Sequence, residues 1–391
     1  MNTLYRDITT VKTNLTSKLS PLFLLLLAML MLPACSSDDE GAGNGEPGEA
    51  TVRLVFLPNM MRTITESNEN DIRDLSVFIF DNTGTCIGYK YNGSPTPEAS
   101  GGYVVNIKTH EASNCTLYAI ANIAETEADF NTMFSDKTTK SAIDNNLTMT
   151  IAAAADLGNG NYLPMFGRTV STINITRSAT AQDIGKIEME HVCSKIKMNI
   201  VPATGITITG YQLHHVPLST YISDDKGYTK YKAGTAWASP SGTYADFTAV
   251  TGLTATSTVS NTFYMFENMV GTGSGSNTDQ KERYAAKAAA DASYLTVTAQ
   301  TQAWKSTFNV YLGTVNITKS IALDGTLTYT SSDEQYNNYD IYRNGEYTVT
   351  VNINGSGASE NNYRVSYKAT TIIYTISLEA WGDESETNLV F

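Results

Sequence analysis

The chain has 391 residues, with 26 Lys and Arg against 39 Asp and Glu and a formal net charge of −13. That acidity excludes nucleic acid and anionic lipid surfaces as electrostatic partners. Only 17% of the residues are charged while 23 are Tyr, a mix that with abundant Thr and Val favours strands over helices.

Arg6, Lys12 and Lys18 give a basic start, followed by an unbroken apolar run from Leu22 to Leu32. A run of this length covers little more than half of a bilayer core of roughly 30 Å, so it reads as a signal-peptide core and not as a spanning helix. It ends in Leu32-Pro33-Ala34-Cys35, which resembles the bacterial lipobox. The expectation is a signal peptide over residues 1–34, with Cys35 carrying the lipid (diacylglycerol and palmitate). The competing reading is an ordinary signal peptide that happens to contain a cysteine. No later segment approaches 18 apolar residues, so the lipid is the expected membrane attachment. Ser36-Ser37-Asp38-Asp39-Glu40 resembles the surface-export signal of Bacteroidales outer-membrane lipoproteins. Residues 35–50 have no apolar periodicity and form a lipidated flexible tether.

Without Cys35 three cysteines remain, Cys86, Cys115 and Cys193, an odd number for an exported chain. A Cys86–Cys115 disulfide is one reading; burial of all three as small hydrophobes is the other.

Val52, Leu54 and Phe56 alternate along Ala50–Leu57, the first strand. Leu75–Asp81 follows, closed by the turn Asn82-Thr83-Gly84, then Cys86–Tyr91, Tyr103–Ile107, Cys115–Ala121, Leu147–Ala152 and Val170–Ile175. Only Glu125–Ser135 reads as helical. Some seven strands fit one β-sandwich over residues 51–186. From residue 187 a second set opens with the alternating Ile187, Met189, His191 and Cys193. It continues through Ile196–Ile200, Ile206–Leu213, Thr262–Phe266, Tyr294–Ala299, Phe308–Leu312, Tyr347–Ile353, Tyr363–Tyr367 and Thr371–Trp381. Gly/Ser/Thr-rich stretches at 223–260 and 270–284 read as surface loops. The expected fold is all-β, two consecutive sandwiches over 51–186 and 187–391.

Signatures of chemistry are sparse. His191 and Cys193 share a strand face, but no second pair stands at zinc spacing, so core packing is the expected role and no metal is implied. His214 and His215 point to opposite faces of a strand. Gly271–Asn277 lacks the lysine and the following helix of a phosphate loop, and no serine sits in a nucleophile elbow. Asp224-Asp225 and Asp383-Glu384 read as solvated charge. No catalytic residue or cofactor is expected.

Two segments carry a resemblance. One is Ala50–Leu57, the polar loop holding Arg62-Thr63, and Asp71-Ile72-Arg73-Asp74-Leu75-Ser76-Val77-Phe78-Ile79-Phe80-Asp81. The other is Ile341-Tyr342-Arg343-Asn344-Gly345-Glu346-Tyr347 through Val351, then Asn354-Gly355. With Leu117–Asn122 and Lys186–Ile200 in support, the chain resembles the Bacteroidales major fimbrillins, subunits of type V pili. The resemblance implies transthyretin-like sandwiches and an outer-membrane lipoprotein precursor. It also implies removal of the first strand (51–62) by an Arg-specific surface protease between Arg62 and Thr63. A C-terminal strand of another subunit then fills the vacated groove, giving extracellular adhesive fimbriae of this and other subunits. The donor segment is 370–391, with Ile372, Tyr374, Ile376, Leu378 and Ala380 on one face. Without the family position, Arg62 is one loop arginine beside Arg53 and Arg73, and the C-terminal strand is an ordinary edge strand. Two alternatives stand beside this: a glycan-binding surface lipoprotein using Trp237, Trp304 and Trp381, and a tip adhesin that accepts a strand but donates none.

Overall fold

The computed structural model describes residues 49–58, 69–98, 102–124, 126–135, 138–157, 162–178, 180–223, 242–278, 283–313, 317–321, 327–331, 336–356, 358–359, 365–366 and 372–380. The N-terminal part holds β1 (Glu49–Pro58), β2 (Leu75–Phe80), β3 (Cys86–Asn92), β4 (Tyr103–His110) and β5 (Ala112–Ala121). Two short helices follow, α1 (Glu127–Phe134) and α2 (Lys140–Asn146), then β6 (Thr148–Thr150), β7 (Met165–Arg168), β8 (Ile173–Ile175) and β9 (Gln182–His191).

The strands pair in the order β3-β2-β5-β7-β9-β1-β4, with β8 on β5. Only Met165↔His191 and Phe166↔Glu190 join β7 to β9, and at that narrow link the sheet folds over. Its two layers enclose a core of Leu75, Val77 and Ile79 from β2 and Leu117 and Ala119 from β5. Val52, Leu54 and Phe56 of β1, Val105 and Ile107 of β4, and Ile187 and Met189 of β9 complete it. Thr109 Oγ1 of β4 donates to the Ile87 carbonyl of β3 at 3.0 Å and ties the far edges together.

The helix α1 starts at a capping box in which Thr126 and Asp129 bond each other's backbone N–H. Phe130 and Phe134, one turn apart, pack on Phe78, on the outer face of β2. Helix α2 is an addition to the sequence reading. Its KSAIDNN run has no apolar stripe, and it is held by the Thr139 cap and by buried Asp144, which accepts from Tyr118 Oη and Lys140 Nζ, each at 2.8 Å. The expected strand Val170–Ile175 shrinks to β8, while β7, too short to show a period, was not foreseen.

The second part holds β10 (Cys193–Pro202), β11 (Thr207–His214), β12 (Val216–Pro217), β13 (Ser219–Tyr221), β14 (Tyr244–Ala245), β15 (Val250–Ala255) and β16 (Val259–Phe266). It continues with β17 (Tyr294–Gln300), β18 (Lys305–Tyr311), β19 (Ile317–Ile321), β20 (Leu327–Ser331) and β21 (Gly345–Ile353). The last strands are β22 (Ala358–Ser359), β23 (Val365–Ser366) and β24 (Ile372–Ala380). Sheets β16-β10-β21-β24 and β15-β11-β17-β18 face each other. Ile196, Met198, Phe263, Val297, Phe308, Val349 and Val351 fill the space between them. The fold is all-β, two sandwiches in succession.

The handover falls at Val192, between β9 and β10. Ile187 and Met189 belong to the first core, so the expected 186/187 boundary moves downstream. The alternation misled because β9 and β10 are one nearly continuous strand passing from sheet to sheet. Strand β6 pairs with β13 across the seam, and Ile151, Leu157, Leu163, Cys193, Leu218, Tyr264 and Phe266 form a third apolar cluster there. The 223–260 stretch, read as loop, contains β14, β15 and the start of β16; β15 is half-exposed and Thr/Gly-bearing, so its apolar signal is weak. Among the described residues no helix is long and apolar enough to cross a membrane.

Candidate functional site

Strand β1 is an interior strand. It runs antiparallel to β4 in an unbroken register from Glu49↔His110 to Phe56↔Tyr103. On its other side it runs parallel to β9, from Val52↔Gln182 to Pro58↔Met189, with a register shift between Arg53 and Val55. Ala50, Val52, Leu54 and Phe56 point inward, and the last three are 0% exposed. These side chains are not laid on a finished core; they are part of it.

The outward face carries one ionic feature. Arg53 Nη1 meets Asp183 Oδ2 of β9 at 3.1 Å, and Nη2 meets Glu98 at 3.3 Å. Glu98 is held beside β4 by its backbone N–H, which donates to the Gly102 carbonyl at 2.7 Å. The Asp183 Oδ1 atom accepts from Gly185 N–H at 2.9 Å. Lys108 stands across from Thr51 and Lys186 across from Val55. Position 53 is thus flanked by two carboxylates, with a lysine beside each neighbouring outward position.

At the opposite end of the molecule's strand order, β24 runs antiparallel to β21 from Gly345↔Ala380 to Ile353↔Ile372 and ends its sheet. The structure therefore brings Val52, Leu54 and Phe56 together and puts the segment bearing Ile372, Tyr374, Ile376, Leu378 and Ala380 at a sheet edge. Cys35, Arg62 and Thr63 lie outside the described residues, as do Trp237, Trp381, Asp224-Asp225 and Asp383-Glu384. Trp304 is partly buried and packs against the second core.

A group missed by sequence reading sits where the chain resumes after the Arg62 segment. The Glu69 carboxylate, buried in the seam, accepts from Lys195 Nζ of β10 at 2.5 Å and from the Tyr264 hydroxyl of β16. The Glu69 carbonyl accepts from His191 Nε2 at 2.7 Å. The His191 backbone N–H donates to Asn344 Oδ1 at 3.1 Å, and Asn344, at φ 56, donates its own N–H to the Cys193 carbonyl. Burial pushes the His191 imidazole down and the Cys193 thiol up. Both are structural groups here. Cys86, Cys115 and Cys193 are all buried, and among the described residues none is in a disulfide. Among the described residues no cluster of His, Cys, Asp or Glu could hold a metal. The rings of His214 and His215 go to different acids, Asp246 at 2.9 Å and Asp291 at 3.0 Å. Asp246 still links the two, because it also accepts the His215 backbone N–H. The Gly271–Asn277 loop is pinned: Gly273 N–H donates to Asn337 and Ser274 N–H to Lys287.

Residues 59–200 match the family described as major fimbrial subunit protein (FimA). Residues 263–319 also match a domain of unknown function, DUF4906. No curated protein matches the chain. Its fold is similar to that of the tip fimbrial protein Mfa3 from Porphyromonas gingivalis with C-terminal truncation. The TM-score is 0.53 at 14% identity, over 84% of this chain and 99% of that one. A fimbrilin (FimA) from Porphyromonas gingivalis W83 superposes with a TM-score of 0.51 at 14% identity, over 86% of this chain and 98% of that one.

Proposed function

We propose that this chain is a fimbrillin, a structural or adhesive fimbrial subunit that is exported as a lipoprotein on Cys35, is cut between Arg62 and Thr63 by an Arg-specific protease, and polymerises through the groove that β1 vacates. The observation that carries the reading is the position of β1: an interior strand whose inward side chains complete the first core, leading into the segment that holds Arg62. The family match begins at residue 59, directly after β1 ends at Pro58, which agrees with a mature subunit lacking that strand.

Burying four such side chains contributes about 6–12 kcal/mol, at about 1.5–3 each. While β1 is covalently attached its effective concentration is millimolar or more, which guards the groove against early filling. Cutting removes that advantage, and an extended donor from another subunit adds main-chain hydrogen bonds to both β9 and β4. The 370–391 segment is the proposed donor. Its β24 stretch ends a sheet, paired among the described residues with β21 alone, so it leaves by breaking that one ladder.

The test is the N-terminus and intact mass of the protein recovered from the cell surface, beside an Arg62→Ala variant. A chain starting at Thr63 that runs as an SDS-resistant ladder is expected, with the variant lipidated, uncut and monomeric. A wild-type chain that keeps its lipid on Cys35 and forms no ladder overturns the proposal.

A further inference from the structure

We propose that Thr296 is an activated hydroxyl, with His214 as its base and Asp246 as the group that orients that base, and that it takes an acyl group from an activated carboxylic ester. The site lies on the outer face of the second sandwich, and the inference is independent of the cut at Arg62.

Strand alternation puts the residues together. Leu213 of β11 and Leu295 and Val297 of β17 point into the second core, so Gln212, His214, Tyr294 and Thr296 share the outward face. The two strands run antiparallel, with Gln212 opposite Thr296 and His214 opposite Tyr294. The His214 ring lies flat on the Tyr294 ring, 4.7 Å between centroids and 12° between planes. Its Nε2 reaches Thr296 Oγ1, on the next outward residue of β17, at 2.9 Å. Its Nδ1 meets Asp246 Oδ2 at 2.9 Å. Asp246 comes from the segment after β14, which is tied to β11: the Phe247 N–H donates to the Leu213 carbonyl and Gln212 Nε2 to the Phe247 carbonyl, each at 2.9 Å.

These contacts decide where the protons sit. The second Asp246 oxygen, Oδ1, accepts the His215 backbone N–H at 2.9 Å. Burial alone would raise the Asp246 carboxyl, but that N–H and the His214 ring hold it below its ordinary value, so it stays ionised. An ionised carboxylate only accepts, so Nδ1 of neutral His214 carries the ring proton and Nε2 offers its lone pair. The Thr296 hydroxyl therefore donates to Nε2. Its other acceptor, the Gln212 carbonyl, stands at 3.4 Å, beyond an ordinary O–H···O bond. A hydroxyl on a base whose other nitrogen is held by a carboxylate is the arrangement that activates a nucleophile. The His214 side chain is 15% exposed and that of Asp246 48%, and Thr296 is half-buried, so the site opens to a small ester from solvent.

In the step, Thr296 Oγ1 bonds to the ester carbonyl carbon while its proton passes to His214 Nε2, and the Asp246 carboxylate faces the imidazolium that forms. Gln212 gives one of its two amide N–H groups to Phe247, and the second serves the oxyanion. The intermediate collapses by breaking the bond to the leaving alkoxide or phenoxide, and the proton on Nε2 goes to that group or to water. The product is a Thr296 ester, formed without oxidant or further reactant.

The experiment incubates the whole purified chain with p-nitrophenyl acetate near neutral pH, follows release of p-nitrophenolate, and locates acetyl groups by peptide mass spectrometry. A single acetyl group on Thr296 with a matching burst of p-nitrophenolate is expected. Thr296→Val, which keeps the shape of threonine, removes both, and Thr296→Ser restores them. His214→Gln and Asp246→Asn slow the acetylation about a hundredfold, the low end of what a positioned base contributes. Gln212→Leu slows it by about a hundredfold as well. Circular dichroism confirms that each variant is folded. Acetyl groups found on lysine or tyrosine side chains alone, or an equal burst from Thr296→Val, overturn the inference. So does a rate unchanged in His214→Gln or Asp246→Asn, the result expected if these hydrogen bonds only fasten residues 244–247 to the sheet. An unchanged rate in Gln212→Leu overturns the oxyanion role.

Discussion

Glu69 and Lys195 meet at 2.5 Å in the seam between the two cores, with side chains only 7% and 8% exposed. Glu69 precedes β2 of the first sandwich, and Lys195 sits on β10 of the second, so one ion pair joins the two sheets. The Tyr264 hydroxyl on the same carboxylate adds β16 to the join. Removing one member leaves the other charge buried and uncompensated, which costs about 3–5 kcal/mol. Glu69→Ala is therefore expected to lower the unfolding free energy of the intact chain, read from its urea denaturation, by that amount. The double variant Glu69→Leu with Lys195→Met should recover most of it, and a chemical-denaturation cycle over the four proteins measures the difference.

The junction is also expected to respond to pH through His191. Burial holds its imidazole below the ordinary value of 6.5, against the opposing pull of the Glu69 carbonyl and Asn344. The folded protein thus keeps His191 neutral where the unfolded chain takes up a proton. Stability from this group is complete above about pH 6.5 and declines as the pH falls toward the depressed folded value. Melting temperature followed from pH 7.5 down to pH 5 should drop in the wild type. In His191→Gln, which has no proton to take up, that part of the slope should vanish.

The sandwiches were legible because their strands alternate cleanly: Val52, Leu54 and Phe56, or Tyr347, Val349 and Val351, declare an inner face by period alone. What escaped notice was held by polar contacts or was too short for a period. Helix α2 rests on Thr139 and Asp144, and β7 has four residues. Glu69 looked like one more acid in Glu66-Ser67-Asn68-Glu69-Asn70-Asp71, since nothing local tells a carboxylate that Lys195 lies 126 residues away across a seam. The proposed role of β1 came from the family resemblance and not from its residues. The sequence pattern supplied the faces of β1 and β24 but not their neighbours, because register is a tertiary property set by pairings distant in the chain.

Strand β1 offers a variant whose effect depends on the stage of assembly. Truncating Phe56 to Ala deletes a fully buried ring and is expected to destabilise the uncut chain by about 3–5 kcal/mol. If β1 is discarded on maturation, the assembled fibre never contains position 56. Denaturation of precursor and ladder side by side should therefore show a large loss in the first and none in the second. A matching loss in the ladder would mean that β1 stays in place.

The last prediction concerns the far end of the second sandwich, where Arg283 is 1% exposed. Its guanidinium donates to the carbonyls of Tyr311, Leu312, Tyr336 and Asn338 at 2.5–3.2 Å and lies 4.2 Å from the centre of the Tyr339 ring. Five fixed donors on a planar group suit four carbonyls arriving from two segments, which one ammonium with three donors cannot serve. Arg283→Met keeps the aliphatic stem but strands those acceptors, at about 1–3 kcal/mol for each one left unsatisfied, so a loss of at least about 3 kcal/mol is expected. Arg283→Lys should restore little of it. Hydrogen exchange should place the loosening at residues 271–274 and 336–341, where Gly273 N–H donates to the Asn337 carbonyl and Tyr339 N–H to the Gly271 carbonyl. Protection along β1, β4 and β9 should stay at the wild-type level, because the first core shares no side chain with this cluster.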